Sequence, residues 1–214
     1  PFAANGRAMT LEATGGYEDR VYYGENSPEY SIVGKPSPDA EDYELNLPLQ
    51  GSEVGASTTF EGEGDAPVGS TWNKLMFAIK FGETNFLLSD RVNENSRVLF
   101  DRDPTERLQK VAPWLTVDSD PYPAIVDGRI QWILDGYTTT DRFPGAEKDS
   151  YSDMIDDALA DATTGLQTIP TDQINYMRNA VKATVDAYTG EVVICEWDTE
   201  DPLLKAWMSA FPGV

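Results

Sequence analysis

The stretch Ala124-Ile125-Val126-Asp127-Gly128-Arg129-Ile130-Gln131-Trp132-Ile133-Leu134 decides the fold class. Two apolar runs flank Asp127-Gly128, a dipeptide that tolerates positive φ at both central turn positions, so the segment predicts a β-hairpin with a two-residue turn. Ile130, Trp132 and Leu134 fall on one face of the returning strand. A second hairpin is predicted over 177–197. There Val181, Ala183, Val185 and Ala187 alternate with Lys182, Thr184 and Asp186, Tyr188-Thr189-Gly190 turns, and 191–197 returns. Gly190 suits the left-handed position of a bulged turn. Each hairpin has one apolar face and isolated hairpins are barely stable in water, so the two are expected to share one antiparallel sheet under the C-terminal helix.

Working outward, helical spacing takes over. Trp72, Leu75, Met76 and Ile79 recur at intervals of a helical turn, which predicts an amphipathic helix over 71–81 that ends near Gly82 and turns those four residues inward. Phe86-Leu87-Leu88 reads as a short second helix. In Asp103-Pro104-Thr105-Glu106, the aspartate fits an N-cap, the proline the first helical position and the glutamate the reciprocal capping place. That helix is expected to reach about Ala112 with Leu108, Val111 and Ala112 inward. A final helix starts near Glu200 or Asp201, with Pro202 early, and is expected to bury Leu203, Leu204, Trp207, Met208 and Phe211. The class is therefore α+β, with antiparallel hairpins forming a sheet packed by several helices. Residues 1–70 are rich in Gly, Pro, Asp and Glu, with short extended candidates at 20–23 and 30–33. They are expected to be a loop-rich extension wrapping a compact α+β domain over 71–214.

The chain has 214 residues, 16 Lys+Arg against 37 Asp+Glu, a formal charge of -21 and no histidine. With 40% hydrophobic residues it can bury a core, so global disorder is excluded. The charge disfavours nucleic acid, whose phosphates it would repel, and docking on anionic lipid. No stretch is long and apolar enough to span a membrane. The chain begins at Pro1 without a Met and ends at Val214 just after the predicted final helix, which suggests one piece of a longer protein.

Zero histidine removes Ser-His-Asp and Cys-His nucleophile systems and every histidine-liganded metal site. The single thiol, Cys195, lies in Val192-Val193-Ile194-Cys195-Glu196-Trp197 and is read as a buried, inert cysteine. Lys74, Lys80, Lys110, Lys182 and Lys205 all take outward positions of predicted elements. No dinucleotide fingerprint, phosphate loop or nucleophile elbow occurs. Carboxylates remain. Asp101 and Asp103, then Asp118 and Asp120, form two D-x-D pairs flanking the 104–112 helix. Paired hard oxygens suit Ca²⁺, but turn and capping roles account for the same residues, and no other cofactor is implied. Asp153, Asp157 and Asp161 make an acidic stripe in a possible helix over 152–162, read as a solvated face. Five Trp and ten Tyr would suit a sugar-binding groove, yet Trp72, Trp132 and Trp207 sit on predicted core faces. Trp114 is the one singled out for exposure.

Five blocks carry a family resemblance. They are Tyr22-Tyr23-Gly24-Glu25-Asn26-Ser27-Pro28-Glu29-Tyr30-Ser31-Ile32-Val33-Gly34; Asp101-Arg102-Asp103-Pro104-Thr105-Glu106-Arg107; Val111-Ala112-Pro113-Trp114-Leu115 followed by Asp120-Pro121-Tyr122-Pro123; Trp132-Ile133-Leu134-Asp135-Gly136-Tyr137-Thr138-Thr139; and residues 175–188 from Asn175-Tyr176-Met177 to Ala187-Tyr188. From about residue 20 onward the chain resembles the extracytoplasmic region of large multi-pass bacterial membrane proteins of uncharacterised protein family 182, common in actinobacteria. The resemblance implies a parent chain several times longer, a preceding block of transmembrane helices and an extracytoplasmic location at the cell membrane. It supplies no catalytic residues. Val185-Asp186-Ala187-Tyr188-Thr189-Gly190-Glu191-Val192 is similar to the hairpin of small PepSY-type modules associated with peptidase regulation.

The function expected is a non-enzymatic extracytoplasmic domain that works by contact with the rest of its parent chain or with another cell-envelope protein, without itself entering the membrane. An exposed apolar patch would support that expectation. The alternatives are a carboxylate-dependent hydrolase on cell-wall glycans, which needs paired acids with one raised pKa, and a peptide-binding or peptidase-modulating module, which needs a free sheet edge.

Overall fold

A computed structural model describes residues 16–42, 44–45, 57–150 and 173–211. The chain divides into two compact units, one comprising residues 26–102 and the other residues 1–25 with 103–214. The expected boundary at residue 70 does not coincide with this division, and strand pairing is the reason. β1 (Tyr30–Val33) and β4 (Ala66–Pro67) flank β5 (Arg97–Phe100) in one antiparallel sheet of order β1-β5-β4. Segments on both sides of residue 70 therefore build a single core.

In the unit of residues 26–102, β2 (Glu44–Leu45) pairs with β3 (Ser57–Thr58) apart from the three-stranded sheet. The sheet is joined by α1 (Thr71–Phe81) and α2 (Asn85–Leu88). α1 starts at Ser70, whose side chain accepts from the Asn73 amide, and stops at Gly82 in the left-handed region at φ 67°. The core is Val68, Phe86, Val92 and Val98, against which Phe77, Ala78, Phe81, Tyr30 and Phe100 pack. Phe81 and Phe86 stack with centroids 5.8 Å apart, and Phe81 lies 4.5 Å from Tyr30.

The other unit holds α3 (Pro104–Val111), β6 (Thr116–Val117), β7 (Tyr122–Val126), β8 (Arg129–Thr140), β9 (Asp149–Ser150), β10 (Gln173–Ile174), β11 (Tyr176–Asp186), β12 (Val192–Glu196) and, as the last helix, α4 (Pro202–Ala210). β8 is the centre. It pairs with β7 through the Asp127-Gly128 turn in register Val126↔Arg129, with β6, and with β11 along ten residue pairs from Tyr176↔Thr140 to Asp186↔Gln131. Asp127 and Gly128 take φ 50° and 75°, the two positive values that a tight primed turn requires. β12 closes the other hairpin on β11 and ends the strand order β12-β11-β8-β6. Both expected hairpins thus lie in one antiparallel sheet, and the fold is α+β.

α3 and α4 cover that sheet. Leu108, Ala112, Leu115, Val117, Leu134, Ala180, Val181, Ala183, Val185 and Leu204 form the core, with Trp114, Trp132, Val192, Ile194 and Met208 packed at its edge. Asp103 caps α3 by accepting from the Thr105 and Glu106 amides, and Asp201 caps α4 by accepting from Leu203 and Leu204. Three inward assignments, Val111, Trp207 and Phe211, are corrected, all three being exposed. Val111 is half exposed, because Leu108 and Ala112 already fill the contact with the sheet. In α4 only Leu204 is fully buried. Trp207 is 37% exposed and stacks between Trp114 at 5.5 Å and Phe211 at 5.9 Å, on the rim rather than in the core.

Residues 20–23, expected as a strand, run without a ladder of their own. The Tyr22 and Tyr23 amides donate to the Ala187 carbonyl at 2.8 and 2.9 Å, and the Glu18 amide donates to Gly128 at 2.8 Å. The segment thereby ties both hairpin turns together. Tyr23 is fully buried, the Arg107 guanidinium lies 4.5 Å over its ring, and the Trp132 indole N–H donates to its carbonyl.

Candidate functional site

The exposed surface of α1 departs furthest from expectation. Trp72, Leu75, Met76 and Ile79, predicted inward, are 68%, 38%, 49% and 69% exposed. At about 100° per residue, those four lie on one side of the helix and Phe77, Ala78 and Phe81 about 180° away. The second set packs on the core, which leaves the first set facing solvent. The helix is apolar on two opposite sides, and spacing alone does not reveal which one the sheet takes. Lys74, expected outward, falls near the core side and donates from Nζ to the Val92 carbonyl at 2.6 Å. Lys80 sits on the flank with its ammonium 4.1 Å over the Phe100 ring. α2 adds the exposed Leu87 and Leu88. Scattered apolar residues on a surface need no explanation, but a helical stripe of four does.

The four candidate calcium ligands do separate backbone work. Asp101 follows β5 with φ 49°, in the left-handed region. Asp103 is the α3 cap. Asp118 accepts from the Asp120 amide at 3.1 Å, closing a turn, while its own amide donates to the Asp135 carbonyl. Among the described residues no group of three or more Asp, Glu or Cys is arranged to hold a metal ion. One carboxylate that sequence reasoning missed is Glu25. Glu25 is exposed, yet desolvation and then the charges of Asp103 and Asp120 raise its pKa. Nothing local marks Glu25 for this. Asp153, Asp157 and Asp161 lie outside the described residues.

Two buried carboxylates are satisfied internally. Asp186 accepts from the Tyr188 and Thr189 amides at 2.8 Å each, from Gln131 at 2.8 Å and from Arg129 at 3.3 Å. Burial pushes its carboxyl up, but those amides and the Arg129 guanidinium outweigh it and hold the pKa low. Asp201, fully buried, accepts from the Thr138 hydroxyl at 2.6 Å and from the Tyr176 hydroxyl, besides its capping amides. Here too burial raises the pKa, but the hydrogen bonds, Thr138 first, outweigh it and leave the pKa lowered.

Cys195 is exposed, a correction to the buried reading. On β12 the core takes Val192 and Ile194, so Val193 and Cys195 point the other way. Trp197 is 67% exposed, with the Lys182 ammonium 5.5 Å over its ring. Trp114 is partly buried against Trp207. No helix among the described residues is long and apolar enough to cross a membrane.

Residues 6–214 match the uncharacterised protein family (UPF0182). A UPF0182 protein of Nocardioides sp. is 67% identical over 208 residues, which is 97% of this chain and 21% of that relative. UPF0182 proteins of Clavibacter michiganensis subsp. michiganensis and Frankia alni are 48% and 47% identical, covering 93% and 91% of this chain but 20% and 18% of those relatives. The chain spans about a fifth of the length of the curated relatives it matches. No solved structure matches it.

Proposed function

The chain belongs to the uncharacterised protein family UPF0182 and forms a segment of a larger protein, and from that premise we propose that it is a non-enzymatic extracytoplasmic domain of a membrane protein, acting through contact. The observation that supports contact is the stripe Trp72, Leu75, Met76 and Ile79, apolar and open to solvent. Water disfavours leaving so much apolar side chain exposed on one helix face, and burying each such side chain is worth roughly 1.5–3 kcal/mol. Chemistry has less to draw on. The chain has no histidine, and the two most buried carboxylates among the described residues spend their oxygens on hydrogen bonds that keep them ionised.

Two measurements test this. A membrane-impermeant maleimide applied to intact cells should label the exposed Cys195 in the full-length parent, and the label should vanish in Cys195→Ser. Labelling only after lysis would overturn the extracytoplasmic location. The isolated chain should show no turnover on esters, phosphoesters, glycans or peptides, with or without Ca²⁺, Mg²⁺ or Mn²⁺. Turnover lost in Asp118→Asn or Asp120→Asn would overturn the contact role.

A second reading, carboxylate-dependent glycan hydrolysis, draws on the raised pKa of the exposed Glu25, to which the charges of Asp103 and Asp120 contribute. It requires glycan turnover that Glu25→Gln abolishes. For the peptide-binding alternative, β12 at the end of the strand order supplies the edge to which an extended peptide would add.

A further inference from the structure

We propose that the outer face of α1 is the docking seat for an amphipathic, acid-flanked helix contributed by the part of the parent protein outside this chain. The inference rests on the contact role above and names the occupant. Three observations carry it. The anchors Trp72, Leu75, Met76 and Ile79 stand at i, i+3, i+4 and i+7, the spacing at which one helix receives the apolar stripe of another. The segment that carries them is electrostatically unusual for this chain. Residues 66–82 contain Lys74 and Lys80 and no carboxylate, the longest acid-free run in a sequence of net charge -21. A partner helix whose apolar stripe is bordered by Asp or Glu therefore meets Lys80 on the flank without meeting a like charge on α1 itself.

The third observation is size. α1 has 11 residues, so it is about 16 Å long and about 10 Å wide. One such face falls well short of the ~800 Å² per partner of a standard stable interface. A separate protein or a second copy held only there would bind weakly. A segment of the same polypeptide does not face that penalty, because tethering raises its effective concentration to roughly millimolar. The relatives supply such a segment in length: about four-fifths of each lies outside the matched region.

The test places a photo-crosslinking amino acid at Ile79 in the full-length parent in its own membrane, with the same group at the exposed Glu147 as a control. The expected result is an intrachain crosslink from position 79, absent from 147, to a peptide with helical apolar spacing and neighbouring Asp or Glu. Met76→Glu should reduce its yield roughly tenfold or more, because it sets an unpaired carboxylate in an apolar contact. In the isolated chain the same variant should leave the urea midpoint unchanged, since Met76 is half exposed there. A crosslink to lipid, to a second copy or to another protein, or none above the control, overturns the proposed occupant. A crosslink to another protein leaves the contact role intact, whereas substrate turnover by the isolated chain overturns that role whatever position 79 touches.

Discussion

Removing the Asp201 carboxylate should detach α4 from the sheet. This group has no exposed surface and serves four donors: the Leu203 amide at 3.4 Å, the Leu204 amide at 3.0 Å, the Thr138 hydroxyl on β8 at 2.6 Å and the Tyr176 hydroxyl on β11. Asp201→Ala removes an N-cap, worth about 0.5–2 kcal/mol. It also strands the Thr138 hydroxyl, itself 1% exposed, at a cost of about 1–3 kcal/mol for a buried unpaired group. The expected loss is therefore about 2–4 kcal/mol, after allowing for partial relaxation. Urea unfolding followed by circular dichroism at neutral pH reads it as a shift in midpoint at constant slope. In the double variant with Thr138→Val, the two losses should fall short of additivity by about 0.5 kcal/mol or more, because both single changes break one interaction. Stability should also depend on pH. Asp201 and Asp186 have lowered folded-state pKa values, so the native state binds fewer protons than the unfolded state. Their contribution is complete above the unfolded value of about 3.9 and is lost as pH falls through the folded values. Asp201→Ala should flatten that acid limb. A loss below about 1 kcal/mol, or strict additivity with Thr138→Val, would refute the claim that one carboxylate pins the helix.

Two comparisons test other packing assignments. At Gly190, φ is 73° and an added Cβ would lie 2.5 Å from the buried Tyr23 ring. Gly190→Ala should therefore cost about 2–5 kcal/mol by chemical unfolding, from left-handed strain plus overpacking. Gly128→Ala is the control: φ is 75°, but the nearest atom is 3.8 Å away, so only the strain of about 1–2 kcal/mol should appear. Equal losses at the two sites would dismiss the clash. In α4, Leu204→Ala should cost about 2–5 kcal/mol and Trp207→Ala less, because Trp207 is 37% exposed. The reverse order in urea titrations would move the helix's anchor to the aromatic rim.

Local chemistry was legible wherever one residue type suits one backbone position. Asp127-Gly128 fixed the first hairpin, Gly190 the second, and Asp103-Pro104 and Asp201-Pro202 the starts of α3 and α4. Sidedness was not legible where both sides are apolar. α1 has two opposed apolar stripes, and β12 carries Val193 and Cys195 opposite Val192 and Ile194. In such elements periodicity gives the conformation, while the choice of buried side depends on partners distant in sequence. The same holds for the unit boundary, which rests on four-residue and two-residue strands pairing across tens of residues. It holds for the carboxylates as well: the D-x-D spacing pointed to Asp103 and Asp120, but nothing local marked Glu25, whose pKa those two charges help to raise.

The long ladder of β8 with β11 reaches its end at Tyr176↔Thr140, and β9 with β10 extends the same chain reversal to Gln173↔Ser150. The chain thus leaves and re-enters at facing residues. A reversal pinned at both strands acts as a stop for the ladder: β11 cannot slip by one residue along β8 without also breaking the Gln173↔Ser150 and Ile174↔Asp149 pairs, and such a slip would turn the buried face of the strand toward solvent.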